Sequence, residues 1–469
     1  MQLNGKRIKE IENGQSGRVV IYMISQFILQ GISVISMPLF TRLLTTEQYG
    51  RFSLYSTWRA IVLLIVGFNV ESSISVAKVN YTEDKFKKFC SNTYFIVVAN
   101  SLFWLILVGI FGEGFSGLLR MPKCIVFFLF VHIFGLACTK IQSCIYLINK
   151  QAISDIILSV SLSVLECVLS VCLIVFMKGN EDQARMFGMG IPYIVLGGIF
   201  CVPYMKKIRS SLNKEMIKYI LTLSIPMAFA AFSSLILAQS DTIMILAISG
   251  EKQTGIYSFC YSVATPLTAL LSALGRAWIP DYYANLKEKN SAWLKEHSDN
   301  YMFLFTCLTC GYLLVSREAL EILGTKSYWD GIPILPPIIV ACYFQFLYTF
   351  PVNYEIYHKR TKMIGIVSAI PAVLNIILNL WLIPVIGMMG AAIATLCSYL
   401  ILFLIHDVVV RNIEGYHYQW GFYLKGLCPV ALCCVITYIF LDFMGVRWGI
   451  GVIIAALMIR RILKKRSLL

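Results

Sequence analysis

Six ionisable side chains inside long apolar stretches are selected as candidates, because a charge is costly there unless it has a function or a partner. Three are basic and three are acidic: Arg59, Lys140 and Arg276, and Glu71, Glu166 and Asp241. Guanidinium groups bind phosphate oxygens in a paired geometry. A carboxylate can alternate between an ion such as Na⁺ or H⁺ and a salt bridge. These residues are therefore candidates for binding or coupling sites.

Sequence signatures of catalysis are missing from the chain. It contains no Walker A sequence and no acidic D-x-D pair, so we expect neither ATP hydrolysis nor metal-dependent sugar transfer. Cys307 and Cys310 form a C-x-x-C spacing, but no second cysteine pair or histidine cluster accompanies them. We interpret the cysteines as small apolar side chains. The expectation is a protein that is not an enzyme and needs no cofactor beyond a possible coupling Na⁺ or H⁺.

Membrane helices must position the six charges. Hydrophobic residues make up 58% of the 469-residue chain and charged residues 14%, which excludes an ordinary soluble fold. Apolar runs of about 20 residues predict transmembrane helices. Fourteen such runs are found, at 19–40, 52–76, 89–111, 124–147, 153–177, 186–205, 219–248, 256–280, 300–323, 332–353, 363–386, 388–409, 426–444 and 446–463. The predicted fold is an all-α integral membrane protein with short loops.

The basic residues predict the orientation of these helices. Of the 40 Lys and Arg residues, 27 fall in one set of alternating loops, ten in the other set and three within spans. The positive-inside rule places both termini in the cytoplasm. Arg185 and Arg447 are counted among the ten external residues. We attribute the net charge of +15 to basic loops that face anionic membrane lipids. No nucleic-acid partner is expected.

An internal repeat predicts the arrangement of the spans. The sequence Gln-Tyr-Gly-Arg-Phe-Ser at 48–53 opens the second span, and Gln-Thr-Gly-Ile-Tyr-Ser at 253–258 opens the eighth. We attribute both glycines to a turn that requires positive φ. A repeat of six helices relates the two halves by an axis along the membrane normal. The predicted domains are a cytoplasmic tail 1–18, six-helix lobes 19–205 and 219–410 joined by a basic linker 206–218, two further helices 426–463 and a basic tail 464–469.

Three stretches carry a family resemblance that spans about residues 15–410. The first is Met37–Gly50, with Pro38, Thr41, Arg42, Tyr49 and Gly50 as its motif residues. The others are Ser240–Ile245 with Gly255–Ser258, and Asn375–Pro384 with Gly390–Thr395. They resemble bacterial polysaccharide-biosynthesis membrane proteins, the Wzx-like oligosaccharide flippases of the multidrug/oligosaccharidyl-lipid/polysaccharide exporter superfamily. Many O-antigen flippases end after twelve helices. Fourteen also resembles the lipid II flippase and sporulation-export branches, so the subfamily stays open.

The resemblance implies a V-shaped, alternating-access transporter of the bacterial inner membrane. Its cargo would be an undecaprenyl-pyrophosphate-linked oligosaccharide, moved to the outer leaflet for O-antigen, capsule or exopolysaccharide assembly and coupled to an ion gradient. Other assembly proteins, such as a polymerase and a chain-length regulator, would be partners, and the protein would act as a monomer.

On this resemblance the three buried cations would bind pyrophosphate, although each could instead extend to the membrane surface. The three carboxylates would serve ion coupling or charge pairing. Glu166, near the middle of its span, is expected to be protonated or to pair with a cation such as Lys140. Asp241 is the candidate coupling-ion site, with an interhelical hydrogen bond as the alternative.

Two other functions remain open from the sequence. A drug or metabolite antiporter of the same superfamily would bind cationic cargo through acidic residues, and three cations against three anions do not decide between the two. A membrane glycan polymerase is less favoured, because such enzymes usually need a large external loop that this chain lacks.

Overall fold

The computed structural model describes residues 15–413, 415–416 and 418–465. Most of the predicted tails, residues 1–14 and 466–469, lies outside the described residues. The described chain contains α-helices and one 3-10 helix, Lys326–Ile334, and no strand. The α-helices are α1 Gln15–Leu43, α2 Thr46–Gly67, α3 Ser72–Asn80, α4 Glu83–Ile110, α5 Gly112–Leu119, α6 Lys123–Ile148, α7 Ala152–Phe176, α8 Glu181–Lys206, α9 Ile208–Ser211, α10 Lys214–Lys287, α11 Ser291–Leu323, α12 Leu335–Tyr357, α13 Thr361–Ile386, α14 Met388–Arg411, α15 Trp420–Ile439 and α16 Met444–Lys465.

Helical segments coincide with all fourteen predicted spans. Eleven segments of the described chain are long and apolar enough to cross a membrane. The last helix, α16, is not among them, since Arg447, Arg460 and Arg461 interrupt its apolar run. Large apolar side chains are exposed along the helices, for example Phe176 at 83% and Trp381 at 69%. A protein in water rarely exposes so much apolar surface, whereas lipid accommodates it. The all-α integral membrane fold is confirmed.

Helix α10 contains both the seventh and the eighth predicted spans, and one glycine marks the boundary between them. Gly250 has φ 85° and ψ 179°, a conformation that interrupts the helix. A Cβ atom on Gly250 would meet nothing within 4 Å, so the backbone angle rather than space requires glycine there. The turn glycine of this region is thus Gly250.

The described chain divides into two compact units. Unit 1 comprises 15–39 and 51–235, and unit 2 comprises 40–50 and 236–465. The division falls within α10, and the 40–50 segment belongs with the second half of the chain. The predicted lobe boundaries stay predictions.

Close helix contacts organise unit 1. Helix α8 packs along both α6 and α7, and α4 packs on α6. A Cβ atom on Gly197 would overlap the backbone of Gly135 in α6, and one on Gly188 would overlap Ser170 in α7. Small residues are what allow membrane helices to approach this closely. The result fixes α6, α7 and α8 as one rigid group.

In unit 2, α14 packs against α12 and α13, and α11 packs against α15 and α16. Arg447 of α16 is 1% exposed and forms a bidentate ion pair with Glu318 of α11. The prediction that Arg447 lies in an external loop is therefore wrong. A buried cation needs a carboxylate partner, and this pair joins the last helix to α11.

The repeat glycines meet each other in unit 2. A Cβ atom on Gly50 would overlap the carbonyl of Glu251, and one on Gly255 would overlap the carbonyl of Thr46. Neither Gly50 nor Gly255 has a positive φ. The prediction that these glycines are needed for a turn with positive φ is therefore wrong. Both occupy helix starts whose backbones touch, and the contact is reciprocal at the predicted offset of the repeat.

Candidate functional site

A polar cluster in unit 1 contains two of the predicted site residues, Arg59 of α2 and Glu166 of α7. Tyr55, one turn before Arg59, is fully buried, and its hydroxyl lies 2.8 Å from Nδ1 of His132 in α6. Arg59 and Glu166 both interact electrostatically with Tyr55 and Tyr193. We call Tyr55, Arg59, His132, Glu166 and Arg185 the arginine cluster.

Arg185 is the member that the sequence analysis placed wrongly. It was assigned to an external loop, but α8 begins at Glu181 and carries Arg185 inside the protein, 8% exposed. Its Nη2 lies 3.9 Å from Oε1 of Glu166, and its guanidinium lies over the ring of Phe52 at 4.9 Å. Glu166 therefore pairs with a cation, as one of the two predicted alternatives has it, but Lys140 is not that cation. Glu166 has a partner on the neighbouring helix α8 instead.

Two nitrogen-bearing side chains of the cluster, Arg59 and His132, have polar atoms that form no hydrogen bond within the described chain. The Arg59 side chain is half-buried and forms no hydrogen bond or ion pair with any described residue. His132 is fully buried, and its Nε2 has no partner in the described chain. Gly190 leaves room for the imidazole, because a Cβ atom there would lie 3.0 Å from Cγ of His132. A guanidinium and an imidazole beside a Glu–Arg pair can bind the oxygens of an anion.

The remaining predicted charges do not join this cluster. Nζ of Lys140 lies 3.8 Å from Oε1 of Glu71, and the Lys140 side chain is 48% exposed. Arg276 of α10 is exposed and forms no ion pair with a described residue. Lys140 and Glu71 thus balance each other at a partly open position, where an ion pair is worth little.

Asp241 lies in a second polar cluster, in unit 2, and is 2% exposed. Its carboxylate accepts hydrogen bonds from the Tyr257 hydroxyl at 2.6 Å, from Nδ2 of Asn379 at 2.6 Å and from the Thr395 hydroxyl. Asn375 Oδ1 accepts from Asn379 Nδ2 at 3.0 Å. We call these five residues the Asp241 site. It links α10, α13 and α14 by interhelical hydrogen bonds.

The Asp241 site suits a monovalent cation. Asp241 forms no ion pair with a described residue, and Asn379 Oδ1 is buried without a hydrogen-bond partner in the described chain. One carboxylate surrounded by neutral amide and hydroxyl oxygens balances a single positive charge. No group of three His, Cys, Asp or Glu able to hold a metal occurs among the described residues.

Three motif residues of the first stretch, Thr41, Tyr49 and Gly50, pack within unit 2. The Thr41 hydroxyl donates to the Leu323 carbonyl at 2.8 Å. The Tyr49 ring meets Phe259 and Tyr328 edge-on, with centroids at 6.1 and 5.8 Å. Pro38 lies within α1, Arg42 in its exposed last turn, and Gly50 at the helix contact described above. A functional role for these residues stays a prediction.

Comparison with known proteins identifies the family. The family described as "Polysaccharide biosynthesis protein" matches residues 18–282, more than half of the chain. The chain belongs to the polysaccharide biosynthesis protein family. A membrane protein of Haemophilus influenzae is 22% identical to it over 364 residues, which cover 75% of this chain and 86% of that protein.

Solved structures show the fold of this polysaccharide biosynthesis protein. It is similar to the lipid II flippase MurJ in an inward closed conformation, with TM-score 0.73 and 16% identity over 94% of this chain and 98% of that chain. It is also similar to an inward-facing multidrug resistance transporter of the MATE family, with TM-score 0.61 and 12% identity over 85% of this chain and all of that chain. The predicted resemblance and fold class are confirmed.

This polysaccharide biosynthesis protein also buries charges that the sequence analysis did not select. Glu355 of α12 and His406 and Asp407 of α14 are fully buried. His406 and Asp407 lie inside the predicted span 388–409, so the rule that selected the six candidates applies to them as well. Glu355 lies two residues beyond the predicted end of its span, in the last turn of a helix that extends to Tyr357.

Proposed function

We propose that this member of the polysaccharide biosynthesis family is a flippase for an undecaprenyl-pyrophosphate-linked oligosaccharide repeat unit. It would carry the unit from the cytoplasmic to the outer leaflet of the bacterial inner membrane for surface polysaccharide assembly. The observation that carries the proposal is Arg59, a half-buried guanidinium on an apolar helix without a carboxylate partner in the described chain. The family and the flippase-like fold support it.

Physical chemistry favours an anion beside Arg59. A cation held among membrane helices without a partner is costly, and a pyrophosphate oxygen compensates it through paired, charge-assisted hydrogen bonds. Nε2 of His132 supplies a further nitrogen in the same cluster. The Glu166 carboxylate neutralises Arg185, so cargo binding would meet one net positive charge rather than two. The lipid tail needs no such site because it can remain in the bilayer.

The Asp241 site is the proposed coupling site for Na⁺ or H⁺. A cation would replace the hydrogen bonds from Tyr257 and Thr395 with direct contacts to their oxygens, so loading would change the packing of α10 against α14. The Glu71–Lys140 pair would contribute charge balance only. The proposal includes both termini in the cytoplasm, a monomer, and a polymerase and chain-length regulator as downstream partners.

A drug or metabolite antiporter is the second candidate. The similarity to a MATE transporter and the buried Asp241 favour it. Such a protein would bind organic cations at carboxylates, and an open guanidinium would oppose them. Resistance to cationic dyes conferred by the protein, abolished in Asp241→Asn but not in Arg59→Ala, would favour this function over the flippase.

The flippase proposal can be tested in cells that depend on this protein for surface glycan. Arg59→Ala should lower surface glycan at least tenfold and accumulate the lipid-linked repeat unit in the cytoplasmic leaflet. Arg209→Ala, at an exposed arginine of α9, is the matched control and should behave as wild type. Quantitative blotting must show equal protein in the membrane. Normal glycan export by Arg59→Ala at equal protein would refute the proposal.

A further inference from the structure

A histidine–glutamate pair is sealed inside unit 2, apart from both sites above. Nδ1 of His406 in α14 lies 2.9 Å from Oε1 of Glu355 in α12, and both side chains are 0% exposed. The Ser368 hydroxyl of α13 lies 3.1 Å from Nε2 of His406. Glu355 Oε2 is buried without a hydrogen-bond partner in the described chain. We call Glu355, His406 and Ser368 the His406 site.

The arrangement accepts a proton without losing a hydrogen bond. With neutral histidine, Nδ1–H donates to Glu355 and Nε2 accepts from Ser368. With protonated histidine, Nε2–H donates and the Ser368 oxygen accepts, since a hydroxyl can do either. The site therefore alternates between net charges of −1 and 0. Histidine is the side chain whose ordinary titration falls near neutral pH.

Other charges around the site already have partners of their own. Asp407 of α14 accepts from Nε of Arg411 at 2.6 Å and from the Tyr416 hydroxyl at 3.2 Å. The Tyr348 ring of α12 lies 4.9 Å from the His406 ring. Arg411 is thus engaged by Asp407, and no described cation pairs with Glu355 except His406. A proton bound at His406 would balance the buried carboxylate.

A cavity lies near the end of α12 that carries Glu355. A cavity of about 1300 Å³ in unit 2 is lined by Tyr354, Tyr357 and His358, residues of the same end of α12 as Glu355. The same cavity carries basic residues of the predicted cytoplasmic loops, including Lys287, Lys295 and Arg360.

The His406 site shares two helices with the Asp241 site. Ser368 and Asn375 are seven residues apart on α13, which places them on one face two turns apart. Thr395, which donates to Asp241, and His406 are eleven residues, or about 16 Å, apart on α14. Pro371 interrupts the α13 hydrogen bonds between Ser368 and Asn375. Helices α13 and α14 therefore connect the two sites.

We propose that the His406 site is a proton-binding site of the transporter, linked to cation binding at Asp241. Losing the proton adds one negative charge. With the helix spacing of about 16 Å taken as the separation of this charge from the cation, an effective dielectric constant of about 20 makes cation binding about fivefold tighter. Linkage requires the reciprocal effect, so cation binding releases the proton. The linkage rests on the proposed cation site, whereas the proton site does not.

The test uses the full-length protein purified in detergent and two measurements. The first is a ¹⁵N-histidine NMR titration between about pH 5 and 9, simplified by the presence of only five histidines. The second is the Na⁺ dissociation constant at about pH 6 and 8. Variants are Glu355→Gln and His406→Gln. The control is His358→Gln, at an exposed histidine whose ring centroid lies 4.4 Å from that of Tyr354.

We expect a titrating imidazole that disappears in His406→Gln and shifts in Glu355→Gln. Wild type and His358→Gln should bind Na⁺ about fivefold more tightly at the higher pH, and the His406→Gln variant should lose that dependence. A His406 imidazole that does not titrate would overturn the proton site. A titrating His406 with pH-independent Na⁺ binding would overturn the linkage alone. If Na⁺ does not bind at either pH, the cation site of the proposed function fails, and the NMR titration still decides the proton site.

Discussion

Replacing Arg185 or Arg59 with Met tests whether the two arginines of the cluster have different roles. Arg185 is expected to stabilise the fold, and Arg59 is expected to bind cargo. The Arg185 and Glu166 side chains are 10% and 20% exposed, and their charged atoms are 3.9 Å apart. Arg185→Met keeps most of the side-chain volume and leaves the Glu166 charge without this partner. Arg59→Met removes a guanidinium that has no ion pair in the described chain.

The magnitude follows from the geometry of the pair. At 3.9 Å and an effective dielectric constant of about 20, two unit charges attract by about 4 kcal/mol. Desolvation offsets part of this attraction, so we expect a coupling energy of about 1–3 kcal/mol. Arg185→Met should be destabilised by at least that amount. Adding Glu166→Gln should recover the coupling energy, because the uncompensated charge is gone.

A thiol-reactive dye reports unfolding here, since buried free cysteines such as Cys90, Cys138 and Cys260 become reactive as the helices separate. Four proteins complete the cycle: wild type, the two single variants and the double variant. Arg59→Met is the comparison and should unfold within about 1 °C of wild type while failing to support glycan export. Strictly additive destabilisation in the double variant would refute the structural role of the pair.

Three further predictions concern other contacts. Asp241→Asn should abolish Na⁺-dependent thermal stabilisation while the protein still inserts; stabilisation that persists would exclude Asp241 as the cation ligand. Gly255→Ala should lower the free energy of unfolding by about 1–3 kcal/mol, because its Cβ overlaps the Thr46 carbonyl. The control Gly311→Ala lies in open space within a helix and should leave the stability unchanged or raise it. Equal melting temperatures of the two variants would contradict the helix contact. Exchanging the partners in a Glu71→Lys/Lys140→Glu double variant should retain transport if the pair only balances charge, as glycan export in cells would show.

The family and the spans were predictable because they depend on local properties. A run of about 20 apolar residues must cross the bilayer as a helix whatever surrounds it, so all fourteen spans coincide with helical segments. The sequence also showed the internal repeat, but it did not show why glycine is required at both repeat positions. Gly50 and Gly255 are required by a backbone contact between segments 205 residues apart, and no local pattern distinguishes that from a turn.

Charge pairing was the part that required tertiary structure. The apolar runs identified Glu166 and Lys140 as costly charges, yet each found a different partner because helix ends and helix neighbours decide the distances. Arg185 lies inside α8 only because that helix begins five residues before its apolar run.

The sequence by itself determined an all-α membrane protein of the polysaccharide biosynthesis family, since hydrophobic length and local motifs are read along one chain. Tertiary structure alone decided which charges neutralise each other. An ion pair depends on side chains brought within about 4 Å by helix packing, and packing leaves Arg59 without such a partner in the described chain while giving one to Arg185, Arg447 and His406.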